Sequence, residues 1–319
     1  MTQRTSILAL AAGEMLRRKE RTAFTNSEGL ADYDFVLRAK TWRHGVSAML
    51  RVKNEERKIL ACLSSLIGAV DEVVVIDNAS TDATVDLVRT FKHERDARNK
   101  VSLLSYPFTI ARCGAEHRNT PADSVRSLVY YYNWCLSKCR CSYVFKIDAD
   151  MVLLPEGVQK ISALFNRLSP LVPTVVAPAV QTMYRAPDGR WFLANDEINC
   201  EPRIFPNTSA VRYHKGRHWE ELRCGIPARR MNWNEVLIYE LKDTSEDEFA
   251  HWTDTDFPTA RKQKEWRNFN LVKSGDISRE LFTEIASVPV RDKPAREFSH
   301  ATARALHDPP AHRQPAPRS

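Results

Sequence analysis

The sequence predicts an α/β protein built on a doubly wound, mostly parallel sheet flanked by helices, with a small antiparallel extension. Two observations support this fold class. Between residues 46 and 168, short apolar runs alternate with segments whose apolar residues recur every three or four positions, which is typical of alternating strands and helices. After residue 170 the alternation gives way to hairpin patterns, which predict the antiparallel extension.

The elements follow from these patterns in chain order. Buried parallel strands are predicted at the near-continuous apolar runs Val46–Val52, Glu72–Ile76, Val101–Ser105 and Tyr143–Ile147. Helices are predicted at 54–69, 82–91, 124–137 and 156–168, the second one capped by Ser80 or Thr81 with Asp82 in its first turn. A hairpin is predicted at Val175–Arg185 and Trp191–Ala194 around Asp188-Gly189, followed by short strands at Arg203–Phe205 and Val211–Tyr213.

The ends of the chain differ from its middle. Residues 1–45 lack strong periodicity and are predicted to be an N-terminal extension, and the proline-rich residues 293–319 are predicted to be a disordered tail. The net charge of +7 is concentrated in these two ends, so the charge pattern does not favour nucleic-acid binding.

The composition also indicates the cellular compartment of the protein. No apolar run approaches the length of a membrane span, and the seven cysteines lack a zinc-binding spacing. We therefore expect reduced thiols and a cytoplasmic protein, with peripheral contact at the inner face of the membrane left open by the terminal basic clusters.

Polar residues follow two of the predicted strands at the edge where α/β sheets bind ligands. Asp77-Asn78-Ala79-Ser80-Thr81-Asp82 comes directly after the second strand, where a carboxylate can accept hydrogen bonds from a nucleotide. The alternative interpretation is a helix cap.

The second polar motif, Lys146-Ile147-Asp148-Ala149-Asp150, ends the fourth strand. Two carboxylates one residue apart between apolar runs need a compensating positive charge. Mg²⁺ or Mn²⁺ bridging a diphosphate meets that need, since these ions take carboxylates together with substrate phosphates. A solvated turn bearing two acids is the alternative.

These two motifs, together with residues 49–56 (MLRVKNEE), resemble the family 2 glycosyltransferases of the GT-A fold, in their bacterial form. The resemblance covers residues 45–220. It implies a glycosyltransferase domain at 46–292, with a nucleotide-binding part at 46–150 and an acceptor part at 151–292. It also implies that Asp148 faces the ribose or the metal and that Asp150 ligates the metal. The implied nucleotide-sugar contacts are Arg51, Asn54, Glu55, Asp77, Asn78, Ser80, Asp82, Lys146, Asp148 and Ala149.

Further on, Arg203-Ile204-Phe205 and Arg217-His218-Trp219-Glu220 resemble another stretch of that family, with the glutamate displaced by one residue. The likeness implies that His218 completes the metal or diphosphate site, with His251 as a weaker candidate. A surface histidine in a basic loop is the alternative for His218.

The same family resemblance implies an inverting, metal-dependent transfer from a UDP-, GDP- or TDP-sugar to a hydroxyl of a polysaccharide, a lipid-linked or a small-molecule acceptor. Such a transfer needs a carboxylate base. The candidates are Asp196, Glu197 and Glu220. A nucleotidyltransferase and a non-catalytic nucleotide-sugar-binding protein remain as alternatives. The absence of glycine from residues 50–58 weighs against the former, and the intact Asp77, Asp148 and Asp150 weigh against the latter.

Overall fold

The computed structural model describes residues 22–37, 43–165, 168, 172–246, 248–249 and 259–288. The predicted tail at 293–319 and the candidate His251 lie outside these ranges. In chain order the strands are β1 (Thr22–Phe24), β2 (Phe35–Leu37), β3 (Arg43–Val52), β4 (Glu72–Asp77), β5 (Val101–Ser105), β6 (Cys141–Asp148), β7 (Met151–Leu153), β8 (Thr174–Arg185), β9 (Trp191–Cys200), β10 (Ile204–Pro206), β11 (Val211–Lys215), β12 (Glu220–Cys224), β13 (Arg229–Asp243) and β14 (Phe282–Ile285). The helices are α1 (Ile59–Leu66), α2 (Thr84–Arg95), α3 (Ala115–Asn119), α4 (Leu128–Lys138), α5 (Pro155–Phe165) and α6 (Ala260–Ser274), with a 3₁₀ turn at Ala31–Tyr33.

The large sheet has the order β5-β4-β3-β6-β10-β8-β9-β14. Strands β5, β4, β3 and β6 are mutually parallel, and β13 runs parallel to β8. The antiparallel β10 joins the two halves, and β9 and β14 add antiparallel strands at the far edge. The predicted α/β class, with a doubly wound parallel part and an antiparallel extension, is confirmed.

The parallel half is covered on both faces. All six residues of β4 are buried, with Val73 and Val75 in one core and Val74 and Ile76 in the other, because successive side chains of a strand point to opposite faces. Helices α1, α2 and α5 cover the first core, and the aromatic α4 covers the second. This burial explains the uninterrupted apolar run in the sequence.

Several predicted boundaries move for local reasons. The first helix begins at Ile59 rather than Asn54, because Asn54 has a φ of 56° and the chain turns before the helix starts. At the start of α2, Asp82 rather than Ser80 or Thr81 accepts the N–H of Thr84, at 3.0 Å. Strand β9 continues to Cys200, six residues past the predicted end at Ala194.

Residues 22–37 pack against the second core. The rings of Phe24 and Phe35 stack with centroids 4.6 Å apart, and the hydroxyl of Tyr130 in α4 donates to the carbonyl of Tyr33 at 3.1 Å. All seven cysteines are free thiols. Within the described ranges, every helix is too short or too polar to cross a membrane.

Candidate active site

The carboxyl ends of β3, β4 and β6 meet at one edge of the sheet. Parallel pairing places Arg51 beside Asp148 and Val52 beside Asp77, so the residues that follow these strands converge. The sequence motifs of the first and fourth predicted strands therefore lie side by side, as expected for a ligand-binding edge of an α/β sheet.

Asp148 is surrounded by positive charge. Its Oδ1 accepts from the guanidinium of Arg51, and its Oδ2 lies 3.3 Å from Nη1 of Arg203 and 3.6 Å from Nζ of Lys146. Burial alone would raise the pKa of Asp148, but these three cations outweigh it and hold the pKa well below its ordinary value. Asp148 is therefore a fixed carboxylate that accepts hydrogen bonds.

Asp150 differs from Asp148 because it has one contacting cation and an acidic neighbour. Its Oδ2 accepts from the Lys242 ammonium at 2.9 Å, and its backbone carbonyl accepts from the N–H of Leu241 at 2.7 Å. Burial raises the pKa of Asp150; Lys242 opposes this effect and the carboxylate of Glu240 adds to it. The negative charge at Asp150 is thus only partly compensated.

A third carboxylate approaches from the loop after β3. Glu55 lies 3.1 Å from the Lys58 ammonium, which also binds Glu246 at 2.6 Å. Burial, together with the nearby charge of Asp150, raises the pKa of Glu55 to about 7. The site is acidic on this side, whereas the cations lie on the side of Asp148.

This donor set fits a divalent cation. Among the described residues no three His, Cys, Asp or Glu side chains converge as a ready-made metal cage. Asp148, which is paired with cations, and Asp150, which lies beside Glu55 and Glu240, nevertheless supply two carboxylates. Mg²⁺ or Mn²⁺ is commonly bound by one or two carboxylates completed by phosphate and water. These two residues would hold the ion.

Two adjoining cavities open at this edge. Cavity A, of about 370 Å³, is lined by residues of the loops after β3, β4 and β6, including Arg51, Glu55, Asn78 and Asp150. Cavity B, of about 600 Å³, lies between β12, the loop after β9 and the start of α6, and its lining includes Trp219 and Glu220. Both are lined by Cys113 and Glu248, so the two cavities share a boundary.

The Asp77–Asp82 motif contributes one residue, Asn78, to the lining of cavity A. The Asp77 carboxylate accepts from the N–H of Ser80 at 3.2 Å and is 7% exposed. The Asn78 amide donates to the carbonyls of Tyr106 and Phe108. Asp77 therefore shapes the turn, and Asn78 is the member of this motif that lines the cavity.

The loops after β3 and β4 are bonded to each other. The N–H of Asn54 donates to the Ser80 hydroxyl at 2.9 Å, and the N–H of Glu56 donates to the Asp82 carboxylate at 3.1 Å. Asn54, Ser80 and Asp82, predicted as nucleotide-sugar contacts, thus join the two loops that carry Arg51 and Asn78. Their direct contact with a ligand stays a prediction.

The three candidate bases are separated in space. Glu220, at the first position of β12, lines cavity B together with Lys146. Asp196 is exposed and pairs with Lys264 at 3.0 Å. Glu197 is buried, accepts from Tyr184 and Asn268, and lines neither cavity. Of the three, the structure brings only Glu220 to the cavities.

His218 contacts helix α3 and the residue before it. Its Nδ1 lies 3.3 Å from the Arg118 guanidinium, and its carbonyl accepts from the N–H of Gly114 at 2.7 Å. It lines neither cavity in the described part of the chain, whereas the next residue, Trp219, lines cavity B.

Sequence reasoning missed the contribution of β13. Glu240 and Lys242 extend from this strand to the edge that bears Asp150, and Glu248 follows shortly after it. The signal available was the pair of charges two residues apart in Glu240-Leu241-Lys242, which puts both side chains on one face of a strand. It was hidden in a stretch without clear periodicity.

Comparison with protein families identifies one segment. Residues 47–108 match the family model of Glycosyl transferase family 2. This segment is similar to the corresponding part of a family 2 glycosyltransferase. It runs from β3 to just beyond β5 and contains Arg51, Glu55 and the Asp77–Asp82 motif, but it ends before Asp148. The predicted resemblance is confirmed over these residues, and the match supports the predicted enzyme class, a glycosyltransferase.

Solved structures of three glycosyltransferases are similar to the chain. S. aureus TarS 1-349 in complex with UDP-GlcNAc is 14% identical, with a TM-score of 0.39, over 65% of this chain and 61% of that chain. The mannosyltransferase PcManGT from Pyrobaculum calidifontis, in complex with GDP-Man and Mn²⁺, is 20% identical, with a TM-score of 0.29, over 56% of this chain and 43% of that chain. Glucosyl-3-phosphoglycerate synthase from Mycobacterium tuberculosis, in complex with Mg²⁺ and UDP, is 20% identical, with a TM-score of 0.25, over 44% of this chain and 44% of that chain. The chain thus spans less than two thirds of each. No curated protein matches it.

Proposed function

We propose that the chain transfers a sugar from a nucleoside-diphosphate sugar to a hydroxyl acceptor, with the donor in cavity A and the acceptor in cavity B. The observation that carries this proposal is the placement of Asp148 and Asp150 beside a cavity whose neighbour contains the carboxylate of Glu220. The family 2 segment contributes Arg51, Glu55 and Asn78 to the lining of cavity A.

Donor binding uses the charge difference across the site. Asp148, kept ionised by Arg51, Lys146 and Arg203, is suited to accept from a ribose hydroxyl. The acidic surrounding of Asp150 is suited to a divalent cation, Mn²⁺ or Mg²⁺, which when bound would neutralise charge on the leaving diphosphate. A UDP-, GDP- or TDP-sugar is compatible with this arrangement.

Transfer requires a base on the acceptor side. Glu220 is the carboxylate we assign to this role, because it lines cavity B and the other two candidates do not. It takes the proton of the acceptor hydroxyl while the acceptor oxygen bonds to the anomeric carbon and the bond from that carbon to the diphosphate breaks. A single displacement of this kind inverts the anomeric configuration.

A donor screen tests the proposal. The purified chain is incubated with Mn²⁺ and a panel of nucleotide-sugars, and release of nucleoside diphosphate is followed by mass spectrometry. We expect release from one or a few donors, with nucleoside diphosphate and not monophosphate or pyrophosphate as the product. Release of pyrophosphate would indicate nucleotidyl transfer, and binding without release from any donor would indicate a non-catalytic protein.

A further inference from the structure

The ammonium of Lys242 lies among three carboxylates. Its Nζ is 2.9 Å from Oδ2 of Asp150, 2.8 Å from Oε1 of Glu248 and 3.0 Å from Oε1 of Glu240. The side chain is 7% exposed. Since an ammonium has three N–H groups, each can be directed to a different carboxylate.

The backbone fixes Lys242 in this position. Strand β13 pairs antiparallel with β7, which follows Asp150 directly, and the N–H of Leu241 donates to the carbonyl of Asp150. The Lys242 side chain therefore enters the site from a neighbouring strand, not from a mobile loop. It occupies the coordination space on Oδ2 that a cation bound to Asp150 would share.

One lysine does not neutralise this region. The carboxylates of Asp150, Glu240 and Glu248 surround Lys242, and those of Glu55 and Glu246 surround the neighbouring Lys58. The two ammonium groups thus contact five acidic groups, of which Glu55 is partly protonated near neutral pH. The negative charge that these two lysines leave uncompensated attracts a further cation. A divalent ion would be attracted by this negative charge and repelled by the ammonium of Lys242.

We propose that Lys242 is a resident counter-ion of Asp150 that a divalent cation must displace, so that it restrains metal binding until the nucleotide is present. The proposal rests on the proposed function in that it takes Asp148 and Asp150 as the residues that hold the metal. Lys242 acts as a positioning residue, through Asp150.

The coupling to nucleotide follows from charge. If an ion were bound by Asp150, the ammonium of Lys242 would lose one hydrogen-bond partner and gain a divalent neighbour. The diphosphate of the donor offers oxygens to both cations, so it lowers the free energy of the state in which the ion is bound and Lys242 is displaced. Metal and nucleotide therefore bind cooperatively.

The test measures Mn²⁺ binding directly, by the EPR signal of free Mn²⁺ in titrations of the full chain without nucleotide. Lys242→Met removes the charge and keeps an unbranched side chain. We expect its Kd for Mn²⁺ to fall by about tenfold or more, because a competing positive charge is gone. Added UDP should tighten Mn²⁺ binding about tenfold in the wild type and only about twofold in Lys242→Met.

The matched control is Lys58→Met. Lys58 is also a buried lysine between two carboxylates, but it contacts Glu55 and Glu246 and acts on Asp150 only from beyond hydrogen-bond distance. We expect a change in its Mn²⁺ affinity of less than about threefold. An equal gain in Mn²⁺ affinity in the two variants would overturn the proposal, because the loss of either positive charge would then suffice to tighten Mn²⁺ binding.

The remaining outcomes are also decisive. Unchanged or weaker Mn²⁺ binding by folded Lys242→Met overturns the proposal, and Lys242→Gln serves for the same titration if the methionine variant does not fold. If the wild type binds no Mn²⁺ even with UDP present, the proposal is again overturned. Donor turnover measured separately by mass spectrometry then reports on the proposed function alone.

Discussion

The guanidinium of Arg51 lies 3.7 Å from the centroid of the Tyr132 ring. The same guanidinium donates to Asp148. Strand β3 and helix α4 thus cooperate to hold the carboxylate that ends β6. A planar cation suits this role, since it can stack on the ring with its face and bind the carboxylate with its edge.

We predict that Arg51→Met lowers the free energy of unfolding by about 3 kcal/mol, because it removes one partner of a buried ion pair. Arg51→Lys keeps the charge and loses the stacking geometry, so the expected decrease is about 1 kcal/mol. Urea denaturation measures both. Arg57→Met is the control, since Arg57 pairs with Asp243 but is 58% exposed, and a change below about 0.5 kcal/mol is expected. Equal losses at Arg51 and Arg57 would contradict this description of the site.

The candidate bases give a second prediction. Glu220→Gln should lower the rate of transfer by about 10² to 10⁴, the usual contribution of a positioned base, and leave the affinity for nucleotide unchanged. Asp196→Asn should retain the wild-type rate, because Asp196 pairs with Lys264 outside both cavities. Steady-state kinetics with saturating donor measures both rates. A large rate loss in Asp196→Asn with an active Glu220→Gln would reverse our assignment.

Glu197 provides a separate test of the same assignment. Burial raises the pKa of Glu197, although hydrogen bonds from Thr182 and Asn268 act in the opposite direction. The buried bonds from Tyr184 and Asn268 give it a structural role. Glu197→Gln should therefore lower stability by about 1 kcal/mol and leave kcat of the folded protein near that of the wild type. A loss of kcat comparable to that of Glu220→Gln, without loss of stability, is the outcome that would assign catalysis to Glu197.

Trp219 is predicted to contact the acceptor. Its indole lines cavity B next to Glu220 and presents a flat apolar surface to whatever binds there. Trp219→Ala should raise KM for the acceptor by about tenfold and leave KM for the donor unchanged. Trp266→Ala, at a half-exposed tryptophan of α6 outside both cavities, is the matched control and should change neither constant. Donor KM rising with acceptor KM in Trp219→Ala would place the donor in cavity B instead.

The titration of Glu55 predicts how stability depends on pH. Its pKa is raised to about 7 by burial and by Asp150, so the folded protein binds a proton there more tightly than the unfolded chain does. The resulting stabilisation is fully present below the ordinary pKa of 4.5 and is lost as the pH rises through about 7. It amounts to roughly 3 kcal/mol, from about 1.4 kcal/mol per pKa unit.

Denaturation without metal, at intervals from pH 5 to pH 8, measures this effect. The free energy of unfolding should fall across that range in the wild type and fall less steeply in Glu55→Gln. Glu56→Gln, at the adjacent exposed carboxylate, should retain the slope of the wild type. A Glu55→Gln variant with the full wild-type slope would show that another group titrates.

The parallel half of the fold could be predicted because its strands are buried on both faces. That burial produces the apolar runs that end at Asp77 and Asp148, and the ends of parallel strands meet at one edge. The ligand-binding edge can therefore be predicted from the sequence. The sequence does not predict which polar residues at that edge face a cavity, since Asp77 and Asn78 are neighbours in sequence and differ in role.

The rest of the site depends on pairing that sequence spacing does not encode. Lys242 contacts Asp150 across 92 residues, because β13 joins both β7 and β8. The register of β13 against β8 shifts at Trp233 and Val236, which obscures strand periodicity in the sequence. The predicted hairpin ends at Ala194, which would place Glu197 in the loop that follows it. Since β9 continues past Ala194, the alternation of side chains along the strand directs Glu197 to the buried face, beneath α6.

Titration of nucleoside diphosphates by calorimetry measures whether Asp150 and a divalent cation bind the donor together. UDP, GDP and TDP are each titrated into the wild-type chain and into Asp150→Asn, with Mn²⁺ and again with EDTA. We expect at least one of them to bind the wild type with Mn²⁺, and we expect this binding to be lost both in EDTA and in Asp150→Asn. Equal binding in all four conditions, or no binding of any diphosphate to the wild type, would contradict this expectation.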